Sequence, residues 1–112
     1  TPDTTGLLNA DFFANLADGA FIINGGRGPQ VNDTDLLAAL ESGKLGGAAL
    51  DVFAVEPLPQ DHAFWTHPKV RVWPHVAAQT NATSAADQVA AAITAMMDGA
   101  EPANRVDWSR GY

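Results

Sequence analysis

Short apolar runs alternate with amphipathic segments along the chain. Ala20–Asn24 and residues 47–53 are continuous apolar runs bounded by glycines or polar residues, a pattern typical of strands that are buried on both faces of a parallel sheet. Residues 70–73 form a third, shorter run that ends at Pro74. The pattern therefore predicts three short strands.

Amphipathic segments precede, separate and follow these strands. We expect a short helix over residues 11–16, a second helix between Asn32 and Gly43, and an alanine-rich third helix over residues 81–98. The residues suited to cap or end these helices are Asn9, Asn32 or Asp33, Gly43 and Gly99. The apolar stripes comprise Phe12, Phe13 and Leu16 in the first helix, Leu36, Leu37 and Leu40 in the second, and Val89, Ile93 and Met96/Met97 in the third.

The order of these elements is helix, strand, helix, strand, strand, helix. Buried strands that alternate with amphipathic helices predict an α/β fold with a parallel sheet, right-handed crossovers and flanking helices. A length of 112 residues allows one domain at most. Three strands are few for such a sheet, which usually has about five or six, and the chain starts at Thr1 in a loop-like stretch. We therefore expect an incomplete sheet from a fragment of a larger protein.

Composition narrows the classes of function. Six basic residues against 13 acidic ones give a formal net charge of −7, which argues against nucleic-acid binding because that requires clustered lysine and arginine. The absence of cysteine excludes disulfide scaffolds and thiol catalysis. The apolar runs are far below the roughly 18 residues of a membrane span, and no signal peptide opens the chain, so we expect a cytoplasmic protein with no membrane partner. The spacing of His62, His67 and His75 matches no zinc motif and predicts no metal site.

Polar residues with catalytic potential follow each predicted strand. Arg27 lies in the glycine-rich loop after the first strand, and His75 follows the third. Asp51 and then Glu56 come with the end of the second. Because ligands bind beyond the carboxyl ends of the strands in an open α/β sheet, we expect all four side chains to meet at one edge.

These residue types together support proton transfer on a carboxylate-bearing substrate. Arginine offers a planar fork of donors that matches a carboxylate, and histidine is the natural proton donor near neutral pH. A carboxylate beside the histidine holds its tautomer and favours the imidazolium. Taken singly, each residue has a structural alternative: an ion pair for Arg27, a turn cap for Asp51, solvation for Glu56 and a satisfied loop position for His75. Their convergence favours the catalytic interpretation.

Several motifs in ordered succession carry a resemblance to a known family. They are TPDTTGLLN at 1–9, NGGRG at 24–28, DLLAAL at 35–40, GAALDVFAVEPLP at 47–59 and PHVAA at 74–78. Together they resemble the C-terminal signature blocks of the D-isomer-specific 2-hydroxyacid dehydrogenases. FWTHP at 64–68 and VDWSRGY at 106–112 are most similar to the glyoxylate/hydroxypyruvate reductase A branch of that family.

The resemblance implies reduction of a 2-keto acid, such as glyoxylate or hydroxypyruvate, to the D-2-hydroxy acid with NAD(P)H. By position, Arg27 would bind the substrate carboxylate and His75 would donate the proton to the carbonyl oxygen. Glu56 would keep His75 protonated. The implied contacts to NAD or NADP come from Gly25, Gly26, Arg27, Asp51, His75, Val76, Ala77 and Ala78.

The resemblance also implies an incomplete enzyme. The family's Gly-x-Gly-x-x-Gly fingerprint is absent from the 112 residues. We therefore expect residues 1–98 to form the C-terminal half of a Rossmann-type nucleotide-binding domain and residues 99–112 to return to a substrate domain. The intact enzyme would be a homodimer, and the isolated chain would be inactive. The alternative is a non-catalytic module, either decayed or binding and sensing the cofactor, although retention of Arg27, Glu56 and His75 argues against decay.

Overall fold

The computed structural model describes residues 1–110 and divides into two compact units. One unit comprises Pro2–Ala78, and the other comprises Thr1 together with the chain from Gln79 onward. The first unit holds the sheet, two helices and every residue expected to carry chemistry. The last two residues of the predicted 99–112 tail lie outside the described part.

The sheet in the first unit has three parallel strands in the order β1-β2-β3: Ala20–Asn24, Leu45–Leu50 and Val70–Val72. Asn24 is opposite Leu50, and Leu50 is opposite Val72, so the carboxyl ends of all three strands lie side by side. The predicted α/β parallel sheet with flanking helices is confirmed. This edge is where the loops that carry the polar residues begin.

Two helices of the first unit cover one face of the sheet: α1, Ala10–Ala14, and α2, Asp33–Glu41. The N-cap of α1 is Asn9, as predicted, because it accepts the Phe12 N–H; of the two candidates for α2, Asn32 is the cap, since it accepts the Asp35 N–H. The largest side chains of the shared core are Phe13, Phe64, Leu36, Leu40, Leu45 and Leu50, each less than 2% exposed. Burial of these apolar side chains is what fixes the helices on the sheet.

The second face of the sheet is exposed at β1, which differs from prediction. Phe21 and Ile23 point away from the core and are 73% and 82% exposed, so the prediction that β1 is buried on both faces is wrong. The reason is that the core of this unit, with both of its helices, lies on the side of Ile22, the residue between them.

The bounds of β2 and α1 also differ from prediction. β2 begins earlier, at Leu45, and ends at Leu50 rather than at residue 53, because Asp51 turns its carboxylate to the chain that follows β3. α1 ends at Ala14, before the predicted residue 16, because the side chain of Asn15 bonds back to the carbonyl of Asp11.

The second unit contains one helix, α3, Ala82–Met97. Asn81 caps its start and Asp98 its end, close to the bounds that the alanine-rich pattern predicts. Val89, Ile93, Met96 and Met97 are more than half exposed. None of the helices formed by residues 1–110 is both long and apolar enough to cross a membrane.

Candidate active site

Glu56 and His75 follow β2 and β3, at the carboxyl edge of the sheet. Nδ1 of His75 lies 2.8 Å from Oε2 of Glu56, and Oε1 of Glu56 accepts the Phe53 N–H at 2.9 Å. These two hydrogen bonds, that of His75 first, hold the pKa of Glu56 below its ordinary value, and the charge of Arg27 acts in the same direction. Glu56 is therefore ionised at neutral pH, and Nδ1 of His75 carries the proton of their hydrogen bond.

His75 itself adopts a left-handed backbone conformation, with φ of 56°. A residue with a Cβ adopts this region at a cost, and such strain persists only where the surroundings enforce it. Asp51 supplies that enforcement, since its two carboxylate oxygens accept the N–H groups of Val76 and Ala77 at 2.8 Å each. The segment that follows His75 is thus fixed to the end of β2.

Asp51 is a buried carboxylate, only 7% exposed. The Val76 N–H is the strongest of the influences that hold its pKa below the ordinary value, and the Ala77 N–H and the charge of His75 contribute in the same direction. Burial opposes them. Both oxygens of the Asp51 carboxylate bind the segment directly after His75, so Asp51 helps to position His75.

Arg27 lies in the loop after β1, and its guanidinium folds back so that Nη1 donates to the Gly26 carbonyl at 2.8 Å. The loop is held by two side chains. Asn24 donates to the Arg27 carbonyl at 3.1 Å and accepts the Gly26 N–H at 3.0 Å. Gln30 accepts the Arg27 N–H at 3.3 Å.

Gly28 brings the Arg27 loop against the chain that carries Glu56. A Cβ built on Gly28 would lie 1.8 Å from the Phe53 carbonyl carbon and 2.4 Å from the Ala54 nitrogen, both of them backbone atoms. Only glycine allows so close an approach. This contact sets the separation between the cationic loop, residues 25–28 with Arg27, and the Glu56–His75 pair.

Two clefts open at this edge of the first unit. The larger, of about 390 Å³, has Glu56 and His75 on its wall together with Phe53, Leu58, Trp65 and Trp73. The smaller, of about 290 Å³, is lined by Ile23, Asn24, Gly25, Ala49, Asp51, Trp73 and Ala77. Trp73, at the end of β3, borders both.

The predicted set of residues comes together only in part by direct contact. Glu56 and His75 are hydrogen-bonded, Asp51 contacts Val76 and Ala77, and Gly25 and Ala77 line the smaller cleft. Arg27 is linked to Glu56 through its charge. Ala78 lies at the end of the unit and does not line the smaller cleft.

Sequence reasoning missed three residues that shape the site: Asn24, Gly28 and Gln30. An asparagine at a strand end before two glycines is a turn signal, because its side chain can bond to backbone about two residues on. That signal was available for Asn24. The close approach at Gly28 depends on the fold and has no local signature.

Histidine and acidic side chains do not form a candidate metal cluster of three or more anywhere in residues 1–110. His62 lies instead with its Nε2 at 3.6 Å from Asp33, while its Nδ1 accepts the Phe64 N–H. These contacts fasten the loop before β3 to the start of α2.

Comparison with known proteins decides the family. Residues 1–77 match the family model described as D-isomer specific 2-hydroxyacid dehydrogenase, NAD binding domain. The chain belongs to this family. The resemblance to the D-isomer-specific 2-hydroxyacid dehydrogenases, which the sequence motifs indicate, is confirmed.

Relatives of this dehydrogenase domain include two named glyoxylate/hydroxypyruvate reductase A. That of Serratia proteamaculans is 53% identical over 112 residues, and that of Yersinia enterocolitica is 51% identical over the same length. Both matches cover 100% of this chain and 36% of the relative. The chain therefore spans about a third of the length of these relatives.

Solved structures of the family are similar in three dimensions. A D-isomer specific 2-hydroxyacid dehydrogenase from Xanthobacter autotrophicus Py2, in complex with NADPH and MES, is 45% identical with a TM-score of 0.94 over 100% of this chain and 46% of that one. An NADPH-dependent glyoxylate/hydroxypyruvate reductase from Sinorhizobium meliloti, with NADP and sulfate, is 43% identical with a TM-score of 0.90 over 100% of this chain and 37% of that one.

Proposed function

We propose that this chain is the catalytic part of an enzyme that reduces a 2-keto acid, such as glyoxylate or hydroxypyruvate, to the D-2-hydroxy acid with NADPH or NADH. The observation that carries the proposal is the 2.8 Å contact between Glu56 and His75 at the carboxyl edge of a parallel sheet, with a cationic loop beside it. The names of the relatives favour the same reaction.

His75 is the proton donor in this proposal. Its Nδ1 is occupied by Glu56, so Nε2 is the ring nitrogen that can donate to the substrate carbonyl oxygen. The ionised Glu56 fixes the orientation and the tautomer of the ring. Asp51 holds the backbone after His75, which keeps the donor in place during the reaction.

Arg27 is the carboxylate-binding residue. Its Nη1 bonds to the Gly26 carbonyl, which orients the guanidinium, and the other N–H groups of this exposed side chain supply the proposed bidentate contact. The positive charge of the guanidinium beside the substrate keto group also stabilises the negative charge that develops on the keto oxygen. Arginine is suited to this role because its planar fork matches a carboxylate.

The smaller cleft fits the nicotinamide ring of the cofactor. Ile23, Ala49 and Trp73 provide apolar walls for a flat ring, and Asp51 provides a carboxylate at the end of β2 for its carboxamide. A Cβ on Gly25 would lie 3.3 Å from the Ala77 Cβ, so glycine keeps the cleft open. A bound NADPH or NADH would supply the hydride that adds to the keto carbon as the carbonyl oxygen takes the proton. Backbone groups of Gly26 and of residues 76–78 complete the proposed contacts.

The rest of the assembly follows from the same proposal. Residues 1–98 belong to the nucleotide-binding domain, and residues 99–112 return to the substrate domain. The 112-residue chain alone is inactive, because substrate selection and pyrophosphate binding use parts of the enzyme outside it. The intact enzyme is a cytoplasmic homodimer.

Steady-state kinetics of the protein as its gene encodes it test the proposal. We expect oxidation of NADPH or NADH that depends on glyoxylate or hydroxypyruvate. His75→Gln should lower kcat by about 10²-fold or more, the contribution typical of a general acid. Arg27→Ala should raise the KM for the keto acid and lower kcat.

Two variants serve as matched controls in the same unit. His67→Gln replaces a histidine whose Nδ1 accepts only the Lys69 N–H, and Arg71→Ala replaces an exposed arginine on β3. Both should retain wild-type kinetics. Equal losses in the controls and the site variants, or no loss at His75, would refute the assignment.

A further inference from the structure

The loop that carries Arg27 has little intrinsic rigidity. Gly25 and Gly26 precede the arginine, and glycine loses more conformational freedom on folding than any other residue. A side chain used for bidentate binding nevertheless needs a fixed backbone, because a displacement of about 1 Å can cost about 10²-fold in rate. The restraint must therefore come from outside the glycines.

Asn24 provides that restraint from the end of β1. Its side chain is an amide with a donor and an acceptor, and the structure uses both: Oδ1 accepts the Gly26 N–H at 3.0 Å, and Nδ2 donates to the Arg27 carbonyl at 3.1 Å. The residue is 6% exposed, so water competes little for either group. One buried amide thus grips the loop on both sides of the peptide bond that joins Gly26 to Arg27.

The peptide group that joins Gly26 to Arg27 also has both its N–H and its C=O in hydrogen bonds. Its N–H, from Arg27, donates to Oε1 of Gln30, and its C=O, from Gly26, accepts from Nη1 of Arg27. The guanidinium is therefore hydrogen-bonded to the Gly26 carbonyl, and the bonds from Asn24 and Gln30 fix the orientation of that peptide group. A Cβ on Gly26 would lie 2.9 Å from Oε1 of Gln30 and 3.5 Å from Oδ1 of Asn24, which shows how closely the two side chains enclose the loop.

Asn24 also connects the loop to the other half of the site. Its backbone carbonyl accepts the Asp51 N–H at 2.9 Å, and Asp51 in turn holds the N–H groups of Val76 and Ala77. A single residue is therefore bonded to the segment that carries Arg27 and to the carboxylate that positions the chain after His75.

We propose that Asn24 is a positioning residue that sets the height and direction of the Arg27 guanidinium relative to His75. The inference rests on the proposed function, since it assigns Arg27 to carboxylate binding. Asn24 acts through Arg27 and touches neither the keto group nor its proton. Loss of its amide should weaken keto-acid binding while nucleotide affinity and folding are preserved.

The test uses two substitutions in the protein as its gene encodes it. Asn24→Ala removes both grips, and Asn24→Asp keeps the acceptor for the Gly26 N–H but removes the donor to the Arg27 carbonyl. Asn15→Ala is the matched control, because Asn15 makes a comparable side-chain bond to Asp11 on the exposed side of α1.

The first measurement is amide hydrogen exchange, which needs no activity. Asn24→Ala should speed exchange of the Gly26 N–H by about tenfold or more, the change given by loss of a bond worth about 1.4 kcal/mol. Asn24→Asp and Asn15→Ala should leave that rate within about twofold of wild type. Unchanged Gly26 exchange in Asn24→Ala would overturn the inference.

The second measurement separates positioning from a general structural effect. In both Asn24 variants the KM for glyoxylate or hydroxypyruvate should rise by about tenfold, while the KM for NADPH stays within about twofold. Parallel rises in the two KM values, or none, would overturn the inference. A wild-type protein that reduces no keto acid would overturn the proposed function instead, and the exchange rates would then decide alone whether Asn24 fixes the loop.

Discussion

Substitution of Gly28 by alanine tests whether the separation between the loop that carries Arg27 and the segment that carries Glu56 matters for the proposed activity. A Cβ at this position would lie 1.8 Å from the Phe53 carbonyl carbon, whereas ordinary contact begins at 3.4 Å, so the two backbones must separate by about 1.6 Å. Overpacking of this kind costs about 1–3 kcal/mol of folding free energy. The displaced Phe53 also takes its N–H away from Glu56, which it now holds at 2.9 Å. A misplacement of this size should lower kcat/KM by about 10²-fold.

The assay combines urea unfolding, followed by circular dichroism, with keto-acid reduction kinetics. Gly43→Ala is the matched control: Gly43 has φ of +80° and no atom within 4 Å of an added Cβ, so only backbone strain of about 1 kcal/mol is expected there. Gly28→Ala should lose both stability and activity, and Gly43→Ala only stability. A Gly28→Ala protein with wild-type kinetics would refute the argument that this contact sets the site.

Three further predictions concern Glu56, Leu40 and Arg27. The pKa of Glu56 is held below its ordinary value of 4.5, so the ionised carboxylate stabilises the fold fully above that pH and loses this effect as pH falls through the lowered pKa. The unfolding free energy of Glu56→Gln should therefore depend less steeply on pH below 4.5 than that of wild type. Urea titrations at several pH values would show this difference. Leu40→Ala, at a fully buried position of α2, should lower the unfolding free energy by about 2–5 kcal/mol, whereas Leu7→Ala, at a position that is 55% exposed, should change it by about 0.5 kcal/mol or less in the same measurement. Arg27→Lys keeps the charge but loses the bidentate fork, so the KM for the keto acid should rise with little change in the KM for NADPH; an unchanged keto-acid KM would argue against carboxylate binding at this position.

Much of the fold is encoded in local pattern. Asn9 and Asn32 each accept a backbone N–H at the start of a helix, and both are among the caps that their position before an amphipathic segment predicts. β1 has the predicted bounds because a continuous apolar run is flanked by glycines. Parallel strand order then brings the three strand ends, and the loops that follow them, to one edge.

What the sequence could not predict depends on contacts between distant segments. Val52 and Phe53 continue the apolar run after Asp51, so the local pattern does not show that the ladder ends at Leu50. It ends there because Asp51 binds N–H groups 25 and 26 residues further along. The exposure of Phe21 and Ile23 likewise depends on which face the helices cover.

The site was predictable in its residue types but not in its geometry. Glycine-flanked Arg27 and Pro-preceded His75 stand out in the sequence, and Glu56 follows the second strand. The left-handed backbone of His75, the double grip of Asn24 and the contact at Gly28 arise only once the loops pack together. These are the features on which the proposed binding and protonation of a keto acid depends.

Identification of the reaction product tests the central claim most directly. The protein as its gene encodes it should be incubated with hydroxypyruvate and NADPH, and the product separated on a chiral column. The account predicts D-glycerate, formed in a one-to-one ratio with oxidised cofactor and lost in His75→Gln. The L-isomer, or cofactor binding without any product, would contradict it, and the latter result would favour a non-catalytic module that retains the nucleotide-binding fold.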